Sequence, residues 1–475
     1  MSTLYDKLKN YGSSDYYGFH MPGHKRRGIL VEPYGGEELP YGIDITEIDG
    51  FDDLHHARGI LKEAQEKAAD VYHAQETCFL VNGSTAGILS AVCGVTEKGD
   101  TILVARNCHK SVYHAIYLKE LNPVYLYPGF EEKAGLNTQI RPQDVEEALE
   151  RYPKAKAVVI VSPTYDGVVS DVAAIAEAVH RKGLPLIVDE AHGAHFGFHS
   201  AFPENANTLG ADIVIHSVHK TLPSLTQTAL LHMNGNRADR DRVKKYLDMF
   251  QTSSPSYVLM ASIDLCMEAL KNHAQEMFAP YVRELGKARE RLSGLQSLEL
   301  LRTECYDISK LVIAAGDLGI TGQELYERLL SEYHLQMEMA AGSYVLAMTS
   351  VSDTKEGLER LTNALFRIDN KISCKKERIS LTGGALPRAK TVYSAAQTEQ
   401  IVRSKEAATA FVPWRDAAGY ISAEYAYLYP PGCPLIVPGE RVTEEAACLL
   451  QWYGERRFSI EGLKRENCIE VLVPH

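Results

Sequence analysis

The sequence predicts an α/β fold with a mainly parallel sheet. Strand-like and helix-like segments alternate from residue 59 onward, and short apolar, β-branched runs carry polar residues at their carboxyl ends. The chain has 475 residues, of which 45% are hydrophobic and 24% charged, so it is long enough to bury a substantial core. An alternating series of this kind builds right-handed crossovers, and its ligands bind outside the carboxyl ends of the strands.

Each element of the series is predicted from its own apolar pattern. The predicted strands are 77–81, 101–104, 157–161, 187–188 and 213–215, and the helices are 59–73, 111–118, 173–181 and one that begins at Ser84. From about residue 300 a smaller α+β pattern follows, with strands 310–315 and 344–348 and helices 322–333 and 354–368. The predicted boundaries are an N-terminal segment 1–58, a major domain 59–300, a small α+β domain 301–371 and a C-terminal domain 372–475.

Composition excludes several classes of function. The formal net charge is −12 and the basic runs are short, which argues against a nucleic-acid partner. The N-terminus lacks a basic region followed by an apolar stretch, and no long uninterrupted apolar window occurs, so we expect a cytoplasmic protein without a membrane segment. The 9 cysteines include no C-x-x-C pair, and we expect them to be reduced and mostly part of the core.

A lysine and an aspartate follow two of the predicted strands. Asp189 ends the run Leu186-Ile-Val-Asp189, and Lys220 follows the strand at 213–215. A lysine amine can form a Schiff base with an aldehyde cofactor, and a carboxylate beside a pyridine nitrogen keeps that nitrogen protonated. Taken singly, a loop lysine is usually solvated and an aspartate after a strand is commonly a helix cap. The pair nevertheless suggests a pyridoxal phosphate enzyme, provided that other residues converge there.

A glycine turn opens a predicted helix at the same edge of the sheet. In Asn82-Gly83-Ser84-Thr85, free backbone amides, two hydroxyls and the positive end of the helix dipole face one point, which suits a phosphate. A plain turn with a serine cap is an equally good explanation of the motif alone. No G-x-x-x-x-G-K-[ST] motif is present, which argues against a nucleoside triphosphate.

Further polar residues follow other strands of the series. His109 could stack on a planar ring, and Ser162 and Thr164 could bond a phenolic oxygen, although a Pro-initiated turn also explains that second motif. The histidines 192, 195 and 199 have no accompanying carboxylate set, so we expect no metal site.

Read in order, these motifs resemble those of the Orn/Lys/Arg decarboxylase family, from about residue 15 to about residue 450. The motifs that carry the resemblance are His20-Met-Pro-Gly-His24-Lys25, Asp44-Ile-Thr46-Glu47, Asp52-Asp53-Leu54-His55, Asn82 to Gly87, Arg106-Asn-Cys-His109-Lys-Ser111, Ser162 to Gly167, Asp189-Glu-Ala-His192, Ser217-Val-His219-Lys220 and Tyr429-Pro-Pro-Gly432. The family consists of fold type I pyridoxal phosphate enzymes, and the chain resembles its short form, which lacks an N-terminal wing domain. The resemblance therefore implies a fold type I major domain with smaller α+β C-terminal domains.

The resemblance also implies roles for individual residues. Lys220 would be the Schiff-base lysine, Asp189 the partner of the pyridine nitrogen and His109 the stacking imidazole, with His192 close to the ring. The residues implied to bind the cofactor are Gly83, Ser84, Thr85, His109, Ser162, Thr164, Asp189, His192, Ser217, His219 and Lys220. The segment 251–257 would come from a partner subunit, so the family implies at least a homodimer with the active site at its interface.

The resemblance selects decarboxylation of a basic amino acid, with release of CO2 and an amine of the polyamine pathway. Arginine is slightly favoured over lysine and ornithine, and Glu424 is the candidate contact for a cationic side chain, with Glu47 and Asp49 as weaker ones. The segment from Thr391 departs from the Ser/Thr-Pro-Arg-Glu-Ala pattern of relatives, which puts the C-terminal assignment in doubt. The alternatives are another pyridoxal phosphate reaction, such as transamination or β-elimination, and a non-catalytic regulatory relative.

Overall fold

The computed structural model describes residues 3–14, 22, 39–132, 135–315, 320–372, 384–428, 432–456 and 458–473. Within those ranges the α-helices are α1 (Leu4–Gly12), α2 (Ile60–Val71), α3 (Gly83–Val95), α4 (Lys110–Leu118), α5 (Pro142–Arg151), α6 (Val172–His180), α7 (Val218–Thr221), α8 (Arg240–Phe250), α9 (Tyr257–Leu292), α10 (Gly322–Tyr333), α11 (Lys355–Ile372), α12 (Ala395–Ser404) and α13 (Glu444–Glu455). The strands are β1 (Glu76–Leu80), β2 (Thr101–Ala105), β3 (Asn122–Leu126), β4 (Phe130–Glu131), β5 (Leu136–Asn137), β6 (Ala155–Val161), β7 (Leu186–Asp189), β8 (Ile213–His216), β9 (Ala229–Met233), β10 (Glu299–Leu301), β11 (Lys310–Ala314), β12 (Met339–Ala340), β13 (Tyr344–Met348), β14 (Ala408–Pro413), β15 (Ile421–Ser422), β16 (Ala426–Leu428), β17 (Cys433–Ile436), β18 (Ile460–Glu461) and β19 (Cys468–Val473).

The predicted α/β class is confirmed, because the large sheet is mostly parallel and smaller sheets, apart from the two-stranded β4-β5, belong to the C-terminal part. The motifs at residues 20–25 and 429–431 lie outside the described residues, apart from Pro22. By its internal contacts the chain divides into two compact units. The first unit is 1–95 with 185–280, and the second is 96–184 with 281–475. The domain boundaries proposed from the sequence stay a prediction.

The first unit contains a run of paired strands in the order β1-β9-β8-β7. Strands β7 and β8 are parallel, whereas β9 is antiparallel to both β8 and β1. Helix α3 packs closely on this sheet because Gly87 has no side chain. A Cβ built there would lie 2.6 Å from Leu80 Cδ1, closer than van der Waals contact allows.

The second unit contains the parallel strands β6-β2-β3. Its small antiparallel sheet has the order β10-β11-β13-β12, and α10 lies against it. Helix α10 begins at the predicted residue because Thr321 and Glu324 form a capping box, in which each side chain bonds the backbone N–H of the other residue.

The C-terminal part of the second unit has its own core between two three-stranded sheets, β14-β19-β15 and β17-β16-β18. Its buried apolar residues include Trp414, Leu435, Val442, Leu450 and Ile469. In the described ranges, no helix is both long enough and apolar enough to cross a membrane.

Candidate active site

The glycine turn between β1 and α3 presents a serine hydroxyl beside a second one from β8. Gly83 starts the helix with φ +72°, a conformation that favours glycine. The Oγ atoms of Ser84 and Ser217 lie 2.6 Å apart. Ser217 makes no side-chain cap bond to its own helix α7, so both hydroxyls are oriented toward one point at the N-terminus of α3. Thr85, the next residue of the motif, is exposed.

Two glutamines fix the position of this turn. The sequence analysis did not identify Gln227, and it named Gln251 only as the first residue of the segment 251–257. Gln251 Oε1 accepts the Val81 N–H at 2.9 Å, and Gln227 Nε2 donates to the Val81 carbonyl at 2.6 Å. The Thr252 N–H donates to Asn82 Oδ1 at 3.2 Å. Within one chain, the start of the segment 251–257 therefore contacts the turn that precedes Ser84.

Lys220 lies in the short helix α7, directly after β8. Its Nζ is 2.8 Å from Nε2 of His192, which is buried. A protonated lysine has no acceptor, so at this contact the ammonium donates and the imidazole nitrogen accepts. The structure thus brings the two predicted residues into direct contact.

Asp189 ends β7 and is 3% exposed. Burial raises the pKa of Asp189 above its ordinary value, while the positive charge of Lys220 and the Ala191 N–H, 3.2 Å from Oδ1, oppose that rise. A carboxylate in so poorly solvated a position is stabilised by a positive partner. Its environment therefore suits a group that carries a positive nitrogen.

His219, in α7, is held by Thr228, the residue that precedes β9. Its Nδ1 donates to the Thr228 carbonyl at 2.8 Å, which leaves Nε2 for another partner. Burial and the charge on Lys220 lower the pKa of His219. A phosphate bound at Nε2 would supply a negative charge that favours the protonated ring.

The first unit therefore gathers most of the predicted site at the carboxyl ends of β7 and β8 and the turn after β1. The gathered residues are Gly83, Ser84, Asp189, His192, Ser217, His219 and Lys220.

The predicted site residues of the second unit follow β2 and β6. His109 caps α4, and its Nδ1 accepts the Ser111 N–H at 3.3 Å with the Ser111 hydroxyl at 2.9 Å, so the orientation of the ring is fixed. Ser162 Oγ accepts the Ser170 N–H at 3.0 Å, and Thr164 Oγ1 accepts the Val168 N–H at 3.1 Å. Both hydroxyls hold the predicted turn and still have a proton to donate.

Glu424 is buried in the C-terminal part and binds backbone amides. Its Oε1 accepts the Lys464 N–H at 2.9 Å, and its Oε2 accepts the Glu470 N–H at 2.8 Å. These bonds explain why a carboxylate is buried here without any substrate. The role of Glu424 toward a cationic substrate stays a prediction.

A buried arginine joins the turn before His109 to the C-terminal sheets. The fully buried Arg106 donates to Glu440 Oε2 at 3.0 Å and to the Leu435 carbonyl at 3.2 Å, and its guanidinium lies 4.8 Å from the centre of the Tyr125 ring. The motif Arg106 to Ser111 was noted in the sequence, but its link to Glu440 spans 334 residues and has no local signal.

We expect Glu440→Gln to lower the free energy of unfolding by about 3 kcal/mol, because it leaves the Arg106 guanidinium buried without a carboxylate. Urea unfolding of the purified protein measures this loss. The matched control is Glu177→Gln, which removes a carboxylate from the exposed pair with Arg181 and should leave the midpoint unchanged. Equal midpoints for Glu440→Gln and the unaltered protein would contradict the assigned role.

Two family models match the chain. The major domain of the Orn/Lys/Arg decarboxylases matches residues 2–315, and the C-terminal domain of the same family matches residues 384–456. The chain belongs to the Orn/Lys/Arg decarboxylase family. It is therefore a pyridoxal phosphate-dependent decarboxylase of a basic amino acid, as the motifs predicted.

Curated relatives cover nearly the whole chain. An arginine decarboxylase of Bacillus subtilis is 33% identical over 94% of this chain and 92% of its own length. An arginine decarboxylase of Halalkalibacterium halodurans is 32% identical, with 94% and 91% covered. The uncharacterized protein YaaO of Bacillus subtilis is 36% identical, with 99% and 98% covered.

Solved structures of this family share the fold. The lysine decarboxylase LdcF of Francisella novicida has a TM-score of 0.81 at 20% identity, covering 99% of this chain and 81% of that one. Lysine decarboxylase A of Pseudomonas aeruginosa has a TM-score of 0.80 at 20% identity, with 100% and 80% covered. The predicted fold type I class is thereby confirmed.

Proposed function

We propose that this decarboxylase acts on arginine, with lysine as the second candidate substrate and ornithine as the third. Relatives named arginine decarboxylase are 32–33% identical over more than nine-tenths of this chain and of their own length. By contrast, the lysine decarboxylase LdcA of Pseudomonas aeruginosa is 23% identical, and the match covers 75% of its length. The products would be CO2 and the corresponding amine, a precursor for polyamine synthesis.

The convergence of Lys220, Asp189 and the paired serine hydroxyls carries the assignment of the cofactor site. A phosphate fits the N-terminus of α3, where Ser84 and Ser217 supply hydroxyl donors and free backbone amides are available. The buried Asp189 suits a protonated pyridine nitrogen, and Lys220 supplies the amine that an aldehyde needs. The donor set thus matches the three parts of pyridoxal phosphate.

When bound, pyridoxal phosphate supplies an electron-accepting ring for the electron pair left at Cα by the departing carboxylate. Asp189 would hold a proton on the ring nitrogen, because a buried carboxylate strongly favours a positive partner. Lys220 Nζ is a proton carrier, and His192, 2.8 Å away, can hold or return that proton. The two residues together can therefore protonate Cα after CO2 has left.

The roles proposed for residues of the second unit rest on their positions in the sequence motifs. His109 would stack on the cofactor ring, and its orientation is already fixed by Ser111. Ser162 and Thr164 would each donate the remaining hydroxyl proton to the cofactor. We also propose that the protein is a homodimer in which the segment 251–257 of the second copy completes the active site. Its proposed location is cytoplasmic.

Ser84→Ala and Ser217→Ala should each raise the dissociation constant of pyridoxal phosphate by about tenfold. In the double variant, the loss of binding free energy should be close to the sum of the two single losses. Each change removes one hydroxyl donor to the phosphate. Fluorescence titration of the apoprotein with cofactor measures the effect. Ser13→Ala is the matched control, because Ser13 is an exposed serine whose hydroxyl bonds the Asn10 carbonyl. Cofactor affinity unchanged in both Ser84→Ala and Ser217→Ala would rule out this phosphate site.

Substrate choice is tested by kcat/KM for arginine, lysine and ornithine with the purified holoenzyme. We expect arginine to exceed the other two by at least about tenfold, since only its planar head group can form a bidentate pair. A higher kcat/KM for lysine or ornithine would overturn the choice of arginine without affecting membership of the family.

A further inference from the structure

A row of polar side chains crosses the first unit inside an otherwise apolar core. Glu190, His216, His232 and Thr77 come from four neighbouring parts of the sheet, and all are at least 96% buried. Glu190 follows β7, His216 ends β8, His232 lies in β9 and Thr77 lies in β1.

The row is continuous at hydrogen-bond distance. His216 Nε2 lies 2.6 Å from Glu190 Oε2, and its Nδ1 lies 3.0 Å from His232 Nε2. His232 Nδ1 lies 2.7 Å from Thr77 Oγ1. The strand register produces this row, because Thr77 and His232 are paired residues and His232 also pairs with Val214, two positions before His216.

A tyrosine ring covers both imidazoles. The ring of Tyr72, at the end of α2, lies 4.6 Å from that of His216 and 4.8 Å from that of His232, measured between centroids. Its hydroxyl donates to the Ala194 carbonyl at 2.7 Å. The aromatic cover keeps water from the row and fixes the planes of both rings.

The direction of the hydrogen bonds depends on one proton. If Glu190 were a carboxylate, His216 and His232 would both carry their proton on Nε2 and Thr77 would donate. If Glu190 is a carboxylic acid, it donates to His216, and both histidines carry their proton on Nδ1. In this second arrangement, at most one proton, that of the Thr77 hydroxyl, is left without an acceptor.

The negative charge of the adjacent Asp189 decides between the two hydrogen-bond arrangements. Glu190 follows Asp189 directly, and it forms no ion pair with a lysine or arginine of the described chain. A second buried carboxylate without a cation costs more than one unsatisfied hydroxyl proton. Burial, with the negative Asp189 in addition, raises the pKa of Glu190 well above its ordinary value, and burial lowers the pKa of His216 to about 3.

We propose that Glu190 is a neutral carboxylic acid that donates to His216 and acts as a positioning residue for the cofactor site. With Glu190 neutral, Asp189 offers its negative charge to the ring nitrogen without a second charge on the adjacent residue, a part of the inference that rests on the proposed function. Adjacent residues share a backbone, so Glu190 fixes the end of β7 that carries Asp189, and His216 fixes the end of β8 that leads to Lys220. Glu190 is anchored in turn by the Ala206 N–H, 3.0 Å from Oε2 and 3.2 Å from Oε1.

Infrared spectroscopy of the apoprotein tests the proton directly. We expect a carboxylic-acid C=O band that shifts when glutamate carboxyls are labelled with carbon-13, that is absent in Glu190→Gln and that remains in Asp189→Asn. Nitrogen-15 NMR of labelled histidine should show the Nδ1–H form at His216 and His232. A missing band, or the Nε2–H form at both histidines, would overturn the neutral acid.

Substitution tests the positioning role. Glu190→Gln keeps a neutral donor toward His216 and an acceptor for the Ala206 N–H, so its cofactor dissociation constant should stay within about threefold of the original. Glu190→Leu removes both, and we expect an increase of at least about tenfold, with the absorbance of bound cofactor altered. Tyr72→Phe keeps the aromatic cover and should change neither quantity.

The outcomes separate this inference from the proposed function. Equal cofactor affinity in Glu190→Gln and Glu190→Leu would overturn the positioning role even if the infrared band is present. If Glu190→Leu does not fold, a Glu190→Gln variant that loses cofactor affinity as Asp189→Asn does would overturn it as well. Failure of the unaltered protein to bind pyridoxal phosphate would refute the proposed function but leave the infrared result intact.

Discussion

Lys220→Ala should abolish decarboxylation, with kcat reduced by more than about 1,000-fold. The substitution removes both the amine that binds the aldehyde and the proton carrier beside His192, whose Nε2 lies 2.8 Å from Nζ. Assays of CO2 release with a saturating basic amino acid measure the loss. The purified variant should also lack the visible absorbance that the cofactor acquires when it is linked to a lysine.

The matched control is Lys245→Ala, which makes the same change at an exposed lysine of α8 in the same unit. We expect that variant to keep both activity and absorbance. If Lys220→Ala retained the absorbance of the linked cofactor, another lysine would have to be the Schiff-base residue, and the central assignment would be wrong.

Asp189→Asn should reduce kcat by about 100-fold or more while cofactor binding is partly retained. A neutral amide cannot stabilise the positive ring nitrogen, so the electron-accepting state of the ring is no longer secured. The buried position of Asp189 makes this effect large, because little water is present to stabilise the positive ring nitrogen in place of the lost carboxylate. Steady-state kinetics and a cofactor titration measure the two effects separately.

Asp212→Asn is the control for a buried carboxylate of the same unit. Asp212 is 2% exposed and accepts the Leu186 N–H at 2.9 Å, at the start of β7 rather than at its end. We expect Asp212→Asn to lower stability and to keep kcat. Turnover of Asp189→Asn close to that of the unaltered protein would refute the assignment of Asp189 as partner of the ring nitrogen.

Local sequence signals predicted the fold elements well where caps and apolar patterns were strong. Helix α10 and strand β13 have the predicted bounds, and the capping box of Thr321 and Glu324 explains the first of them. Strand β3 was not predicted, since Pro123 interrupts an ordinary strand pattern. The position of β9 between β1 and β8 was not predictable either, because an apolar run gives no information about which strands it pairs with.

The residues of the candidate site were likewise only partly predictable from the sequence. Lys220 and Asp189 could be identified because a polar residue after a buried strand marks a ligand-binding edge. The contacts of Gln227 and Gln251 with Val81 could not be predicted, since they span 146 and 170 residues. His216 and His232 did leave a signal, a histidine within a run of buried apolar residues, but only the strand register shows that they meet.

The most direct test of decarboxylation follows the carboxyl carbon of the substrate. Arginine, lysine and ornithine, each labelled at the carboxyl carbon, are incubated separately with the purified protein and pyridoxal phosphate, and both products are quantified. We predict labelled CO2 and an equimolar amount of the corresponding amine, with arginine as the best substrate and neither product formed by Lys220→Ala. Formation of a keto acid that keeps the label, or no turnover of any of the three, would contradict the account.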